Sequence, residues 1–243
     1  MAVADLEVGS AHIPTGQPAT PEPHAPRLPP AEMWPRERAA RRLTQLFLGL
    51  LIYGFSEALM LAPAVGVDPW DVLHTGLARI TGIPVGTVLI IVGVIVLLLW
   101  IPLRQRPGLG TLANILIIGV VVDVAFDIAP IPHALWLRWV VFLAGVVLNA
   151  VATGFYIGAG LGPGPRDGLT TGLAARGHSV RVVRTSIELS VLAIGWLLGG
   201  NVGAGTVVYA LAIGPLVHYT IPWFTRKAAS PAIAHLPDPP RPN

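Results

Sequence analysis

The sequence contains no cysteine, which excludes disulfides, thiol nucleophiles and thiolate-bound metals. Lysine is almost absent too: Lys227 stands alone beside the arginines, and only 12% of the residues are charged. Soluble domains carry about 25% charged residues, so a water-facing surface cannot be built around the whole of this chain. The net charge of +3 comes from arginines at the ends of apolar runs, with no basic block, which excludes a nucleic-acid-binding face. No apolar segment follows a basic start near Met1, so no cleavable secretion signal is expected.

What is abundant is apolar: 53% of the residues are hydrophobic and the mean hydropathy is +0.67. Crossing a bilayer as a helix takes roughly 20 residues, and six stretches are long enough: 43–64, 84–103, 110–130, 137–159, 181–200 and 204–224. Their continuous Gly, Ala, Val, Leu and Ile content predicts helices; a β-barrel would show short alternating segments. The expected fold is therefore an all-α polytopic membrane protein whose first partner is the lipid bilayer. Residues 1–40 hold eight prolines and no apolar run, and 227–243 are similar, so both are expected to be disordered tails. The preference for arginine points to a GC-rich bacterial genome, hence to the bacterial cytoplasmic membrane.

The membrane region divides into two repeats, 41–130 and 131–226. Residues 65–77, VGVDPWDVLHTGL, align at an offset of 96 with 161–173, LGPGPRDGLTTGL, with identities at Gly66/Gly162, Pro69/Pro165, Asp71/Asp167, Leu73/Leu169, Thr75/Thr171, Gly76/Gly172 and Leu77/Leu173. Gly108-Leu109-Gly110-Thr111 recurs as Gly203-Ala204-Gly205-Thr206 at an offset of 95. The segment from Pro69 to Thr81 makes only ~20 Å of helix against a hydrocarbon core of ~30 Å. Each copy thus reads as a short broken or re-entrant helix, leaving about six full spans. Three spans per half make the repeats inverted. Arginine placement agrees when both termini are cytoplasmic: Arg36, Arg38, Arg41, Arg42, Arg104, Arg106, Arg166, Arg176, Arg181, Arg184, Arg226 and Lys227 fall inside, and Arg79 and Arg138 outside. Eight spans with parallel repeats score nearly as well on charge; helix length favours six.

Non-helical backbone at membrane depth must face protein or a water-filled cavity, and matched helix breaks in two inverted halves mark the substrate sites of secondary transporters. Free N–H groups at half-helix starts suit a polar or anionic ligand. The candidate binding residues are therefore Asp71 and His74 in the first copy and Arg166, Asp167, Thr170 and Thr171 in the second. An alternative reading treats Asp68-Pro69-Trp70-Asp71 as helix-start chemistry only, with an N-cap, a proline at N1 and an acid at N3. Glu57, Asp123 and His218 lie inside apolar spans, where a charge costs at least ~2.5–3.5 kcal/mol, and are candidates for proton or ion coupling. Asp123 and His218 hold equivalent places after the two GxGT turns, so an Asp–His pair is expected near a pseudo-two-fold axis. Glu188 follows Arg184 by one helical turn and is expected to neutralise it.

Simpler roles are expected elsewhere. Trp70, Trp100, Trp136, Trp139 and Trp223 lie near span ends and read as interfacial anchors. Gly86, Gly93, Gly119, Gly195 and Gly214 read as helix-packing contacts. The GxGT turns lack the lysine and preceding strand of a phosphate loop. No cofactor, metal or ATP site is expected, and no nucleophile–base motif or intramembrane-protease motif suggests an enzyme.

The run Asp-Pro-Trp-Asp-Val-Leu-His-Thr-Gly-Leu at 68–77, Gly-x-Pro-x-Gly-Thr at 82–87 and Gly-Pro-Gly-Pro-Arg-Asp-Gly-Leu-Thr-Thr-Gly-Leu at 162–173 together resemble the YczE/YyaS/YitT group of bacterial integral membrane proteins. The resemblance covers roughly residues 41–226. It implies a polytopic inner-membrane protein and carries over no activity and no functional residue. Two functions follow from the residues themselves. One is a secondary transporter or permease for a small polar or anionic solute. The other is a non-transporting scaffold or regulator of a cytoplasmic enzyme or biosynthetic complex, docking partners through its tails or forming a homo-oligomer.

Overall fold

The computed structural model describes residues 36–129 and 133–225. Most of both expected tails, with Arg226 and Lys227, lies outside the described residues, as do the side chains of Arg36 and Arg38. The described residues form nine α-helices and no strand: α1 (Arg36–Leu61), α2 (Pro69–Thr81), α3 (Val85–Leu98), α4 (Trp100–Leu103), α5 (Leu109–Ile128), α6 (Leu135–Gly158), α7 (Pro165–Ala174), α8 (Val180–Leu197) and α9 (Ala204–Phe224). The N-terminal tail was expected to run to residue 40, but α1 already starts at Arg36. Pro35 is the last proline before it, and no glycine or proline interrupts residues 36–48.

Five helices are long and apolar enough to cross a membrane: Ala39–Leu61, Val85–Leu103, Leu109–Ile128, Leu135–Gly158 and Ala204–Phe224. The sixth expected stretch does form a helix, α8, but its 18 residues include Arg181, Arg184 and Glu188 and fall short of that standard. Large apolar side chains point outward along the bundle, among them Ile101, Leu116, Val124, Leu211 and Trp223. Such a surface is stable against lipid and not against water.

Small residues set the packing. α1 and α6 run antiparallel: a Cβ on Gly49 would lie 2.8 Å from the Tyr156 nitrogen, and one on Gly145 2.8 Å from Met60 Cγ. α3 crosses α5 antiparallel in the same way, with Gly86 against Gly119 and Gly93 against Ile115. α9 lies parallel on α6, where Gly154 meets Thr220 and Gly158 meets Phe224. α2 packs on α8 through Gly76 and Gly195, and α7 packs on α8, α3 and α4. Without a Cβ the backbones approach closely enough for dispersion to hold helices together where lipid offers no hydrophobic drive. Of the five glycines expected to pack, Gly214 does not: open space faces it. Pro215, next in the chain, sits on a stretch of α9 that faces outward, so no neighbour closes on it.

The chain between α1 and α2, and that between α6 and α7, bends at Gly66 (φ 111°) and Gly162 (φ 125°). Positive φ at these positions suits glycine alone, and a Cβ on Gly66 would lie 2.6 Å from the Gly203 nitrogen. Each bend is held by the opposite GxGT turn. Gly110 N–H donates to the Leu161 carbonyl at 2.8 Å, and Gly205 N–H donates to the Val65 carbonyl at 2.9 Å. The turns therefore receive a bent chain instead of bringing two helices together. Within each turn the threonine hydroxyl accepts from the backbone three residues earlier, Thr111 from Gly108 at 3.2 Å and Thr206 from Gly203 at 3.3 Å.

Two tryptophans expected at the lipid interface are inside. Trp100 is 2% exposed and Trp70 8%. The reason is α7: Trp100 Nε1–H donates to the Pro165 carbonyl at 3.1 Å, and its ring lies against Gly168. Trp136 and Trp223 are exposed, as anchors should be. Gly168→Val would drive a side chain into the Trp100 ring, an overpacking cost of about 1–3 kcal/mol or more. Gly214→Ala, facing open space, should be neutral or stabilising by up to about 1 kcal/mol. Thermal unfolding of the two variants in detergent tests the contrast.

Candidate functional site

The first short helix, α2, starts as its sequence dictates. Asp68 is the N-cap in extended conformation, its Oδ1 accepting the Asp71 N–H at 2.7 Å, and Pro69 follows at N1. The other, α7, starts with Pro165 after an N-cap glycine, Gly164, which has no side chain to cap it. The two starts meet. Arg166, in the first turn of α7, donates from Nη1 to Asp68 Oδ2 at 3.2 Å, and its Nη2 lies 3.8 Å from Asp71 Oδ1. Its guanidinium also sits 5.1 Å from the centre of the Trp70 ring, a cation–π contact.

Around that meeting point polar side chains are buried to a degree unusual for their type. Glu57 is 1% exposed, Asp68 4%, Asp71 0% and His74 1%. His74 Nδ1 bonds Asp71 Oδ1 at 3.0 Å, one turn along the same helix face. The donor oxygens of Glu57, Asp68 and Asp71 all lie within 4.8 Å of one another. Asp71 Oδ2 and Glu57 Oε2 are buried with no hydrogen-bond partner among the described residues. Beside the cluster opens a cavity of about 70 Å³, lined by Tyr53, Glu57, Trp70, His74, Asn114, Tyr156, Arg166 and Asp167 together with apolar side chains of α3 and α5. That is room for a few waters or a small solute.

The predicted residues fall into three groups. Asp71, His74, Arg166 and Glu57 are brought together, and Asp167 reaches the cavity from the exposed side, where the Tyr156 hydroxyl lies 3.4 Å from its Oδ2. Thr170 and Thr171 donate to the carbonyls of Arg166 and Gly168 in their own helix, at 3.1 and 3.2 Å, and do not line the cavity. Asp123 and His218 do not meet. Asp123 accepts from Gly86 N–H at 2.6 Å and Thr87 Oγ1 at 2.8 Å, fastening the start of α3 to α5, while His218 is exposed on α9 beside the Tyr219 ring. Their equivalent places fail to pair because α5 packs on α1 and α3, and α9 on α6. Arg184 and Glu188 form the expected pair at 2.9 Å, on an exposed face.

Two contributors escaped the sequence reading: Asp68 as ion-pair partner, and the ring residue Tyr53. Asp68 carried a signal, since an N-cap acid beside a membrane break is also an unpaired charge. Tyr53 carried none, being an ordinary residue of an apolar span; its ring meets that of Tyr156 edge-on at 6.1 Å.

The helices and their apolar exterior define a multi-pass α-helical membrane protein. By its sequence the chain belongs to the family described as a family of unknown function, DUF6198, which it matches over residues 40–222. It is 39% identical over 180 residues to an uncharacterized protein of Haemophilus influenzae, covering 74% of this chain and 83% of that one. It is 34% identical over 190 residues to the uncharacterized membrane protein YczE of Bacillus subtilis, covering 77% of this chain and 88% of YczE. The uncharacterized protein YyaS of the same organism is 28% identical over 190 residues, covering 75% of this chain and 94% of YyaS. No solved structure matches the chain.

Removing one partner of a buried ion pair leaves the other charge stranded, at a cost of about 3–5 kcal/mol. Asp68→Ala is therefore expected to destabilise the protein by that order, since it also removes a helix cap. Glu188→Ala, which breaks the exposed pair with Arg184, should change stability by less than about 1 kcal/mol. Denaturation by SDS in mixed micelles compares them, and a double-mutant cycle of Asp68→Asn with Arg166→Gln should give a coupling above about 1 kcal/mol.

Proposed function

We propose that this chain is a secondary transporter of a small polar solute, and that its binding site is the cavity where α2 and α7 begin. The observation that carries this reading is the Asp68–Arg166 pair, which joins the two helix starts beside a polar cavity inside an apolar bundle. In this reading the chain is two inverted halves of three spans, with α8 as the sixth crossing and both termini on the cytoplasmic face. The reciprocal bonds from Gly110 to Leu161 and from Gly205 to Val65 support it, because each GxGT turn holds the break of the other half. A half-helix entering from each side, with its start at the centre, is the arrangement transporters use to present N–H groups and charges to a solute.

The side chains narrow the solute. Three buried carboxylates face one guanidinium, so the site carries an acidic surplus, and the start of α2 is already capped by Asp68. A neutral polar or cationic solute fits such a site better than an anion. No covalent step belongs to the proposal; the coupling ion moves down its gradient and drives the solute. The scaffold alternative rests on the two tails, which lie outside the described residues.

The absence of native cysteine gives a direct test. Single cysteines placed at Val92 and Asn114, which line the cavity, should react with a small water-soluble thiol reagent in oriented vesicles. Proteoliposomes challenged with amino acids, short organic acids and methylammonium should take up at least one of them saturably, and Asp71→Asn and Arg166→Gln should each lower that uptake at least tenfold. Unreactive cysteines together with no uptake would remove the transporter reading.

A further inference from the structure

We propose that Glu57, Asp68 and Asp71 form a binding site for one hard divalent cation at the edge of the cavity. Three observations converge on it. The first is spacing: donor oxygens of all three carboxylates lie within 4.8 Å of one another. Oxygens bound at 2.0–2.6 Å to a common Mg²⁺ or Ca²⁺ are at most about 5 Å apart, so the three can share an ion without rearrangement of the helices that carry them.

The second is unmet bonding capacity. Glu57 Oε2 and Asp71 Oδ2 are buried and have no partner among the described residues, on side chains that are themselves 1% and 0% exposed. A buried carboxylate oxygen without a partner is costly, and a positive ion shared by the two side chains would offset that cost. The other oxygens of the two aspartates are held in place. Asp68 accepts the Asp71 N–H and the Arg166 guanidinium, and Asp71 Oδ1 faces His74 Nδ1. These contacts orient the carboxylates from outside, as supporting partners do around a metal.

The third is charge. Three carboxylates against Arg166 leave two negative charges, which a divalent ion cancels and a monovalent one does not. An all-carboxylate donor set selects hard, oxygen-seeking ions such as Mg²⁺, Ca²⁺ or Mn²⁺ over softer ones. Glu57 lines the cavity and is the ligand through which an ion would enter. No metal spacing is legible in the sequence because ten residues, with the bend at Gly66 among them, lie between Glu57 and Asp68. The inference rests on the proposed location of the solute site for its role in transport, but the binding itself can be measured without transport.

The full chain, purified in detergent and stripped with EDTA, would be dialysed against MnCl2, CaCl2 and MgCl2 and its metal content measured. At least one ion should bind saturably at one per chain and raise the melting temperature. Glu57→Gln and Asp71→Asn should each weaken that binding at least tenfold while circular dichroism and gel filtration report a folded protein, and Glu188→Gln should bind like the unmodified chain. Absence of saturable divalent binding by the unmodified protein overturns the proposal whatever the variants do. So does stabilisation by NaCl alone, a response to protons alone, or unchanged affinity in Glu57→Gln. Divalent binding without any solute uptake would retain the cation site and remove the transporter; uptake without divalent binding would do the reverse.

Discussion

The constraint on which the rest of this structure depends is the hydrogen bonding of backbone away from water. Between α1 and α2, and again between α6 and α7, the chain leaves the helix and can no longer satisfy its own N–H and C=O groups. Lipid cannot satisfy them either. The solution is the same at both places: a GxGT turn from the other part of the chain comes close enough to donate one amide to the bent segment, Gly110 to Leu161 and Gly205 to Val65. Only glycines let the backbones approach this far, since a Cβ on Gly203 would collide with the Val65 carbonyl. Once the bends are fixed, α2 and α7 have their starting points, and the side chains of their first turns have little freedom to be anywhere else.

Electrostatics then follows from that placement. Arg166 is one of the few cations inside the bundle and meets Asp68 and Asp71 because their helices begin side by side. In water such a pair would contribute little. Here both acids are almost fully buried, and separation would leave charges without solvation. The pair therefore acts as a latch between the two short helices. It does not neutralise the region, because Glu57 contributes a third carboxylate from α1. A buried cluster with more acid than base is not explained by stability alone; the cation proposed above is what would offset it.

How far the sequence could be read follows the range of each interaction. Helices α1, α3, α5, α6 and α9 were legible from their apolar length alone, because crossing a bilayer imposes length and apolarity on consecutive residues. The start of α2 was legible from Asp68-Pro69-Trp70-Asp71, since capping is local and its partners lie three residues apart. His74 was correctly set beside Asp71, and Glu188 beside Arg184, for the same reason. The failures that matter to the site are contacts between distant segments. Trp100 looked like an anchor because nothing local reveals that Gly168 leaves a slot for its ring. Asp123 and His218 looked like partners because they occupy matching places, but matching places meet only near a symmetry axis, and α5 and α9 pack on different neighbours.

The two matched segments are alike in the residues that shape backbone and unlike in the residues that carry charge. Gly66/Gly162, Pro69/Pro165 and Gly76/Gly172 are identical, and they set the bend, the helix start and the close packing. At the same offset Asp68 stands opposite Gly164, Trp70 opposite Arg166, and His74 opposite Thr170. Each of these differences lies at the junction: the acid that caps α2 accepts from the arginine of α7, and that arginine covers the tryptophan of α2. An arginine at position 70, which aligns with Arg166, would have set one guanidinium against another, with repulsion where there is now a cation–π contact. The two helix starts therefore form a charged junction because their side chains differ while their backbone-shaping residues do not. The charged contacts of this junction accordingly come from the positions where the two matched segments differ, and its backbone geometry from those where they agree.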